Sequence, residues 1–350
     1  MFFIKIIFIY FTQFYLIVVI KGRQAIMINT LVLSGAGYDM VYEFGIAAEL
    51  QRHYNFYLSP DIGISKGQSK HVYRHKHDHE HEIKSRTKYI FGTSAGSIVG
   101  LAIAVGWDLD ELITKLVLTV SNRKIYSGSL VLSILTLPYY SYLFDTDIRY
   151  DVLEIILSKI GQNATFADLD HNIDLTMVAT ELVTGATILF SKANTPNVEL
   201  KTAALASSSI PIAFKPIYIN KLDVKEFIEG GLPVSKIQDK FHVVDGGFSC
   251  VYPIAFVPDI NTTIGVCIIY NYDNNPSDGL LSMISHSISL GSFNFYQQSS
   301  VVPKLDRDRT LLFHVSKTTL GDYVGVLTKP HMEQMINLGR GAAIDFLYSR

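Results

Sequence analysis

Cysteine is nearly absent from this chain. The two in 350 residues, Cys250 and Cys267, make neither a disulfide framework nor a cysteine-based metal pattern. Each reads as a small buried hydrophobe. A basic surplus is also missing, since 30 Lys and Arg face 32 Asp and Glu for a net charge of −2. That excludes the electrostatic footprint of a nucleic-acid binder. Charged residues are only 18% against 48% apolar, which excludes wholesale disorder and allows a large core. No Gly-Lys-Ser/Thr follows the first glycine-rich turn, which weakens a phosphate-cradling reading of that turn.

What is present begins with a long apolar run. Phe2 to Ile20 is broken only by Lys5, Thr12 and Gln13, and ends at Lys21-Gly22-Arg23. Its length suits one bilayer crossing. No small-residue cleavage site follows, which argues against a removed signal peptide. As an anchor, its flanking Lys21 and Arg23 favour a cytoplasmic C-terminal domain. The alternative is that residues 1–26 precede the true start at Met27, in which case the protein is cytoplasmic. From 27 to 350 no linker divides the pattern, and one catalytic domain is expected. A polar insertion at 61–86 carries His71, His75, His77, His79 and His81. The alternating tract His75 to His81 is a weak candidate for a divalent metal. An exposed charged loop is the favoured reading, because nothing apolar nearby would order such a site.

Strands and helices alternate along the rest. Leu31 to Leu33 reads as a strand, followed by a turn and a helix from Tyr42 to His53. Tyr89 to Gly92 is a strand and Ser94 to Val105 a helix. Asp108 caps a helix to Val120, and Asp145 to Ile160 is helical with Gly161 after it. Strands are expected at Asp174 to Thr180, Thr187 to Ser191, Phe241 to Val244 and Thr263 to Tyr270, with a last helix over Lys329 to Tyr348. Such alternation argues a mainly parallel sheet covered by helices.

Three strings within this pattern carry chemistry. Gly92-Thr93-Ser94-Ala95-Gly96 joins a strand to a helix of small residues. A serine there is held on a sharp, strained turn with its hydroxyl exposed, a nucleophile elbow. A Cβ at Gly92 or Gly96 would crowd the turn. Ser34-Gly35-Ala36-Gly37 follows the first strand, and the N–H groups of Gly35, Ala36 and Gly37 are candidates for an oxyanion hole. Val243-Val244-Asp245-Gly246-Gly247 puts a carboxylate at a strand end, placed like a catalytic base. The plainer reading of Asp245 is an Asx-turn. The stretch Ala206-Ser207-Ser208-Ser209-Ile210-Pro211 allows close packing and identifies nothing by itself.

Together these strings resemble the patatin-like phospholipase family, from about Leu31 to near the C-terminus. Thr165 to Leu169, Ala179 to Gly185, Ala206 to Pro216 and Pro253 resemble further family segments in the right order. The resemblance implies a three-layer α/β/α patatin-like fold with a central, mainly parallel sheet. It implies a Ser94-Asp245 dyad that hydrolyses lipid acyl esters through an acyl-serine, with Gly35 to Gly37 as oxyanion hole. Gly92, Gly96, Gly246 and Gly247 are then the motif glycines. It implies no cofactor, and as partner a lipid or phospholipid at a membrane surface. One departure stands out. Where the family reads Gly-Gly-Gly-x-Arg/Lys-Gly, this chain has Gly35-Ala36-Gly37-Tyr38-Asp39-Met40. An ionised Asp39 about 6 Å from an oxyanion would oppose it by roughly 2 to 3 kcal/mol at an effective dielectric of 20.

Two alternatives follow from the residues. A Ser-Asp-His triad would draw on His286, His314 or His331, all after Asp245. A lipid-binding protein with a weakened site would explain Asp39 and Met40. The apolar run Leu130 to Phe144 is expected to wall the acyl site or meet the membrane, with core packing as the rival.

Overall fold

The computed structural model describes residues 28–54, 56, 88–121, 148–211, 213–228, 230, 233–272, 309–317 and 328–349. The N-terminal run, the insertion with His75 to His81, Leu130 to Phe144 and His286 lie outside the described residues. Among the described residues, no helix is long and apolar enough to cross a membrane.

The strands are β1 (Thr30–Leu33), β2 (Lys88–Thr93), β3 (Ile173–Glu181), β4 (Thr187–Phe190), β5 (Ile217–Asn220), β6 (Lys240–Asp245), β7 (Thr263–Tyr272) and β8 (Thr310–Lys317). They form one sheet in the order β5-β6-β3-β2-β1-β7-β8, with β4 also on β3. Strands β3, β2, β1, β7 and β8 are mutually parallel, and β4, β5 and β6 are antiparallel additions. The helices are α1 (Met40–Tyr54), α2 (Ala95–Ala104), α3 (Leu109–Val120), α4 (Ile148–Leu157), α5 (Leu200–Ser207) and α6 (Lys329–Tyr348). The expected central, mainly parallel sheet flanked by helices is present.

Alternation along the strands sorts the core. Leu31, Leu33 and Ile90 face the main cluster, which also holds the buried sides of the six helices. Val32 and Phe91 point the other way, against Tyr252, Ile254 and Cys267. Such two-sided burial is why β1 and β2 read as continuous apolar runs. Cys250 and Cys267 are both buried and form no disulfide, as expected of small hydrophobes.

Helix boundaries follow local chemistry. Asp108 caps α3, its Oδ1 accepting from the N–H groups of Asp110 (2.9 Å) and Glu111 (3.2 Å). Gln51 of α1 ties that end down, donating to the Trp107 carbonyl at 2.8 Å and accepting from Leu109 N–H at 2.9 Å. Trp107 is buried, and its indole N–H donates to the Ile156 carbonyl at 2.8 Å. After α4 the chain stops at Gly161, whose N–H donates to the Leu157 carbonyl at 2.8 Å.

Asp108→Ala should therefore cost about 1 kcal/mol, since the first N–H groups of α3 lose their acceptor. Trp107 is the only tryptophan and sits beside this cap. Its fluorescence in a urea titration reads the loss directly. An unchanged midpoint would mean that water replaces the cap without cost.

Candidate functional site

The turn between β2 and α2 is strained. Ser94 has φ 54° and ψ −119°, the one non-glycine with positive φ among the described residues. Side chains rarely tolerate that region. The flanking glycines allow it. A Cβ on Gly96 would lie 2.6 Å from the carbonyl oxygens of Leu33 and Ser34, and one on Gly92 would meet the Gly96 backbone. Both obstacles are main chain and cannot give way.

Four further contacts hold the turn. Ser94 N–H donates to Ser207 Oγ at 2.9 Å, and Ser207 Oγ–H donates to the Val178 carbonyl at 2.5 Å. The Ser94 carbonyl accepts from Ser97 N–H at 3.0 Å and from Ser97 Oγ at 2.6 Å. Ser207 belongs to the end of α5, 113 residues from the elbow.

Sheet register brings Asp245 beside this turn. Thr93 pairs with Val178, so Ser94 falls level with Ala179. Ala179 in turn pairs with Asp245, the last residue of β6. Ser94 and Asp245 thus flank β3 at one level, and Ser94 Oγ donates to Asp245 Oδ2 at 2.6 Å. The other oxygen, Oδ1, accepts from Gly247 N–H at 2.7 Å. The Asx-turn and the serine contact therefore coexist, one on each oxygen. The Asp245 backbone is fixed as well: its N–H donates to the Ser209 carbonyl at 2.9 Å, and its carbonyl accepts from Thr180 Oγ1 at 3.0 Å. A Cβ at Gly246 would strike the Val178 carbonyl.

Both side chains are buried, Ser94 5% and Asp245 4% exposed. Burial pushes the Asp245 carboxyl up to about 6, against the smaller lowering effects of Ser94, Gly247 and the Arg149 charge. A carboxylate so placed is ionised at neutral pH yet basic enough to take a hydroxyl proton.

The loop after β1 packs on the serine, for a Cβ at Gly35 would lie 3.5 Å from Ser94 Cβ. Gly35 N–H, however, donates to the Val251 carbonyl at 2.8 Å. That bond engages the Gly35 N–H of the expected donor set with the main chain. Gly37 takes φ 53°, and the loop closes as Asp39 N–H donates to the Ala36 carbonyl at 2.9 Å. Two carboxyl groups are buried here. The charge of Asp39 falls on Tyr42, whose hydroxyl pKa is raised chiefly by burial and then by Asp39. Glu43 is fully buried and burial drives its pKa well up. Ser34 N–H offsets this only in part, because it donates to the Val266 carbonyl at 3.1 Å, and neither Glu43 oxygen has a hydrogen-bond partner among the described residues.

Among the described residues, no histidine is placed to complete a triad with Asp245. The hydrogen bonds to the Asp245 carboxylate come from Ser94 and Gly247. His314 lies exposed on β8, separated from β2 by β1 and β7. His331 is exposed in the first turn of α6. Among the described residues, no group of three His, Cys, Asp or Glu is arranged to hold a metal.

An apolar groove opens between α1, α3, α4 and α6. Its walls include Met40 and Phe44 of α1, Val117 of α3, Ile148 and Val152 of α4 and Met332 of α6. Met40, the first residue of α1, directly follows the loop in the chain.

Residues 31–257 match the family model described as Patatin-like phospholipase. An uncharacterized protein of Acanthamoeba polyphaga mimivirus is 26% identical over 309 residues, covering 83% of this chain and 84% of that one. Among solved structures, VipD from Legionella pneumophila is similar at 13% identity and TM-score 0.45, over 92% of this chain and 67% of that one. ExoU of Pseudomonas aeruginosa, in its complex with SpcU, gives 16% identity and TM-score 0.36, over 92% and 53%. Human GIVD cytosolic phospholipase A2 gives 10% identity and TM-score 0.41, over 93% and 61%. The chain spans about half to two thirds of the length of these three structures.

The raised carboxyl has a consequence for stability. A group with folded pKa near 6, above its usual 3.8, stabilises the fold below about pH 4 relative to higher pH. That contribution is lost as pH rises through 6. Asp245→Asn removes the buried charge and should raise stability at pH 7 to 8 by up to about 3 kcal/mol. The gain should vanish near pH 4. Thermal melts of both proteins across this range test it, and a destabilised Asn variant at pH 8 would overturn the assignment.

Proposed function

As the chain belongs to the patatin-like phospholipase family, we propose that it is a lipid acyl hydrolase of the phospholipase A type, with Ser94 as nucleophile and Asp245 as base. Family membership supports the lipid-ester hydrolase class. The observation that carries the residue roles is the 2.6 Å bond from Ser94 Oγ to Asp245 Oδ2 on a strained turn.

The steps follow from that contact. Asp245 takes the Ser94 proton as Oγ attacks the ester carbonyl carbon. The tetrahedral oxyanion is met by N–H groups of the Ala36-Gly37 turn and of the first turn of α2, whose leading N–H groups have no intrahelical acceptor. Collapse breaks the ester C–O bond, and protonated Asp245 returns its proton to the leaving alkoxide. A water, deprotonated by Asp245, then attacks the acyl-serine; the C–Oγ bond breaks, the fatty acid leaves, and Asp245 returns the proton to Ser94 Oγ. Every step is served by groups of the protein.

The apolar groove takes the acyl chain on this reading. Met40 occupies the position of the family's last loop glycine, so its side chain narrows the groove next to the reacting centre. Residues 1–26 hold the protein at a membrane, with the catalytic domain on the cytoplasmic side.

Ser94→Ala should abolish hydrolysis of a phospholipid panel and labelling by a serine-reactive phosphonate, with the fold unchanged by Trp107 fluorescence. Activity remaining in Ser94→Ala would overturn the mechanism. The rate of the wild type should rise with pH through an acid limb near 6, where Asp245 ionises. Met40→Trp should shift preference to shorter acyl chains by about tenfold in kcat/KM, one lost methylene contact being worth roughly 1 to 3 kcal/mol. Equal loss on acetyl and palmitoyl esters would place the acyl chain elsewhere.

A further inference from the structure

We propose that Arg149 is the positioning residue of the Ser94-Asp245 pair, a cation that locks the turn supporting both residues. The proposal rests on the dyad reading above. Arg149 is the second residue of α4 and only 6% exposed. Its guanidinium donates to the Ser208 carbonyl, to Ser208 Oγ at 3.0 Å and to the Leu205 carbonyl at 3.4 Å. The Phe214 ring lies under it, 3.7 Å from centroid to guanidinium carbon.

These acceptors are not scattered. They belong to the last turn of α5 and the residue that caps it, where carbonyls lack intrahelical donors and the helix dipole is negative. A planar, permanently charged fork suits that end better than any other side chain. The serines on either side of Ser208 are the supports of the pair. Ser207 Oγ holds the Ser94 N–H, and the Ser209 carbonyl holds the Asp245 N–H. Arg149 therefore grips the middle residue of a three-serine turn whose neighbours fix the nucleophile and the base.

Position and charge act together. The Arg149 field reaches Asp245 and favours its ionised form, against burial. The groups that face the Asp245 side chain from other elements are the Ser94 hydroxyl and the Gly247 N–H, both uncharged. Thr180 and Ser209 meet its backbone and are uncharged too. In the loop after β1, where the resemblance calls for a cation, the chain has Asp39. Among the described residues, the cation whose charge acts on Asp245 comes from α4.

The test compares Arg149→Gln, which keeps amide donors without charge, with Arg149→Lys, which keeps charge without the fork. Both are assayed in the full chain on mixed micelles of phosphatidylcholine from pH 5 to 9. Arg149→Gln should move the acid limb of kcat/KM upward from about 6, so its deficit is several-fold larger at pH 6 than at pH 8. Arg149→Lys should return the limb to near its wild-type place while kcat stays reduced. A purely structural arginine would lower the rate equally at every pH, and that result overturns the proposal. So would a Gln variant with wild-type rates. Should the Gln variant fail to fold by Trp107 fluorescence, the Lys variant decides, since a displaced limb with the charge retained contradicts the assignment. Ser94→Ala separates the two ideas. If it keeps activity, the dyad reading fails; if it is dead while the Gln limb stays put, only the role of Arg149 fails.

Discussion

Ser94 is held in a backbone conformation that costs of order 1 to 3 kcal/mol, and the surrounding elements are arranged to maintain it. Each support comes from a different part of the chain. The end of β1 closes on Gly96, Ser207 of α5 takes the N–H, Ser97 of α2 takes the carbonyl, and Asp245 of β6 takes the hydroxyl. No single helix or strand could enforce the turn, which relaxes as soon as the sheet order is lost. The strain thus ties the reactive geometry to the complete sheet.

Strand order explains how a base reaches this turn at all. In the parallel part of the sheet, successive strands all end at the same edge and then feed helices. β6 runs the other way beside β3, so it descends from that edge and stops level with Ser94. The antiparallel addition lets a strand-end aspartate lie inside the sheet rather than above it, and this is why Asp245 is buried. Burial makes the carboxylate a stronger base and a burden on the fold at the same time. The Gly247 N–H, the Ser94 hydroxyl and Arg149 relieve part of that burden without removing the basicity.

The pieces legible in the sequence were those whose meaning is local. The elbow glycines, the strand-end Asp-Gly-Gly and the cap at Asp108 each depend on neighbours within a few residues, and the structure places them as such. Alternating strands and helices also foretold the parallel part of the sheet. What stayed hidden depends on register between distant segments. β5 has too little apolar alternation to stand out, and its pairing with β6 comes from tertiary context. Ser207, Ser208 and Ser209 read as an ordinary helix end, yet each meets a different distant group. Nothing near Arg149 in the sequence marks it, since Ser208, which it holds, lies 59 residues away. Gly35 seemed a donor because its partner, the Val251 carbonyl, is more than 200 residues away.

The arrangement of charge gives the site its character on the proposed reading. The loop that meets the oxyanion carries Asp39, and burial raises the carboxyl pKa of Glu43 beside it. The cation lies at the end of α5, where its charge acts on the base. A cation beside the loop would stabilise the oxyanion directly and attract anionic head groups. A cation beside Asp245 keeps the proton acceptor ionised and leaves the oxyanion to main-chain N–H dipoles alone. Those dipoles gain strength because the site is buried and water is excluded. The exchange of a loop arginine for Asp39 is then compatible with hydrolysis, provided that the elbow and its neighbouring N–H groups hold their geometry. That geometry is what the three-serine turn and Arg149 maintain.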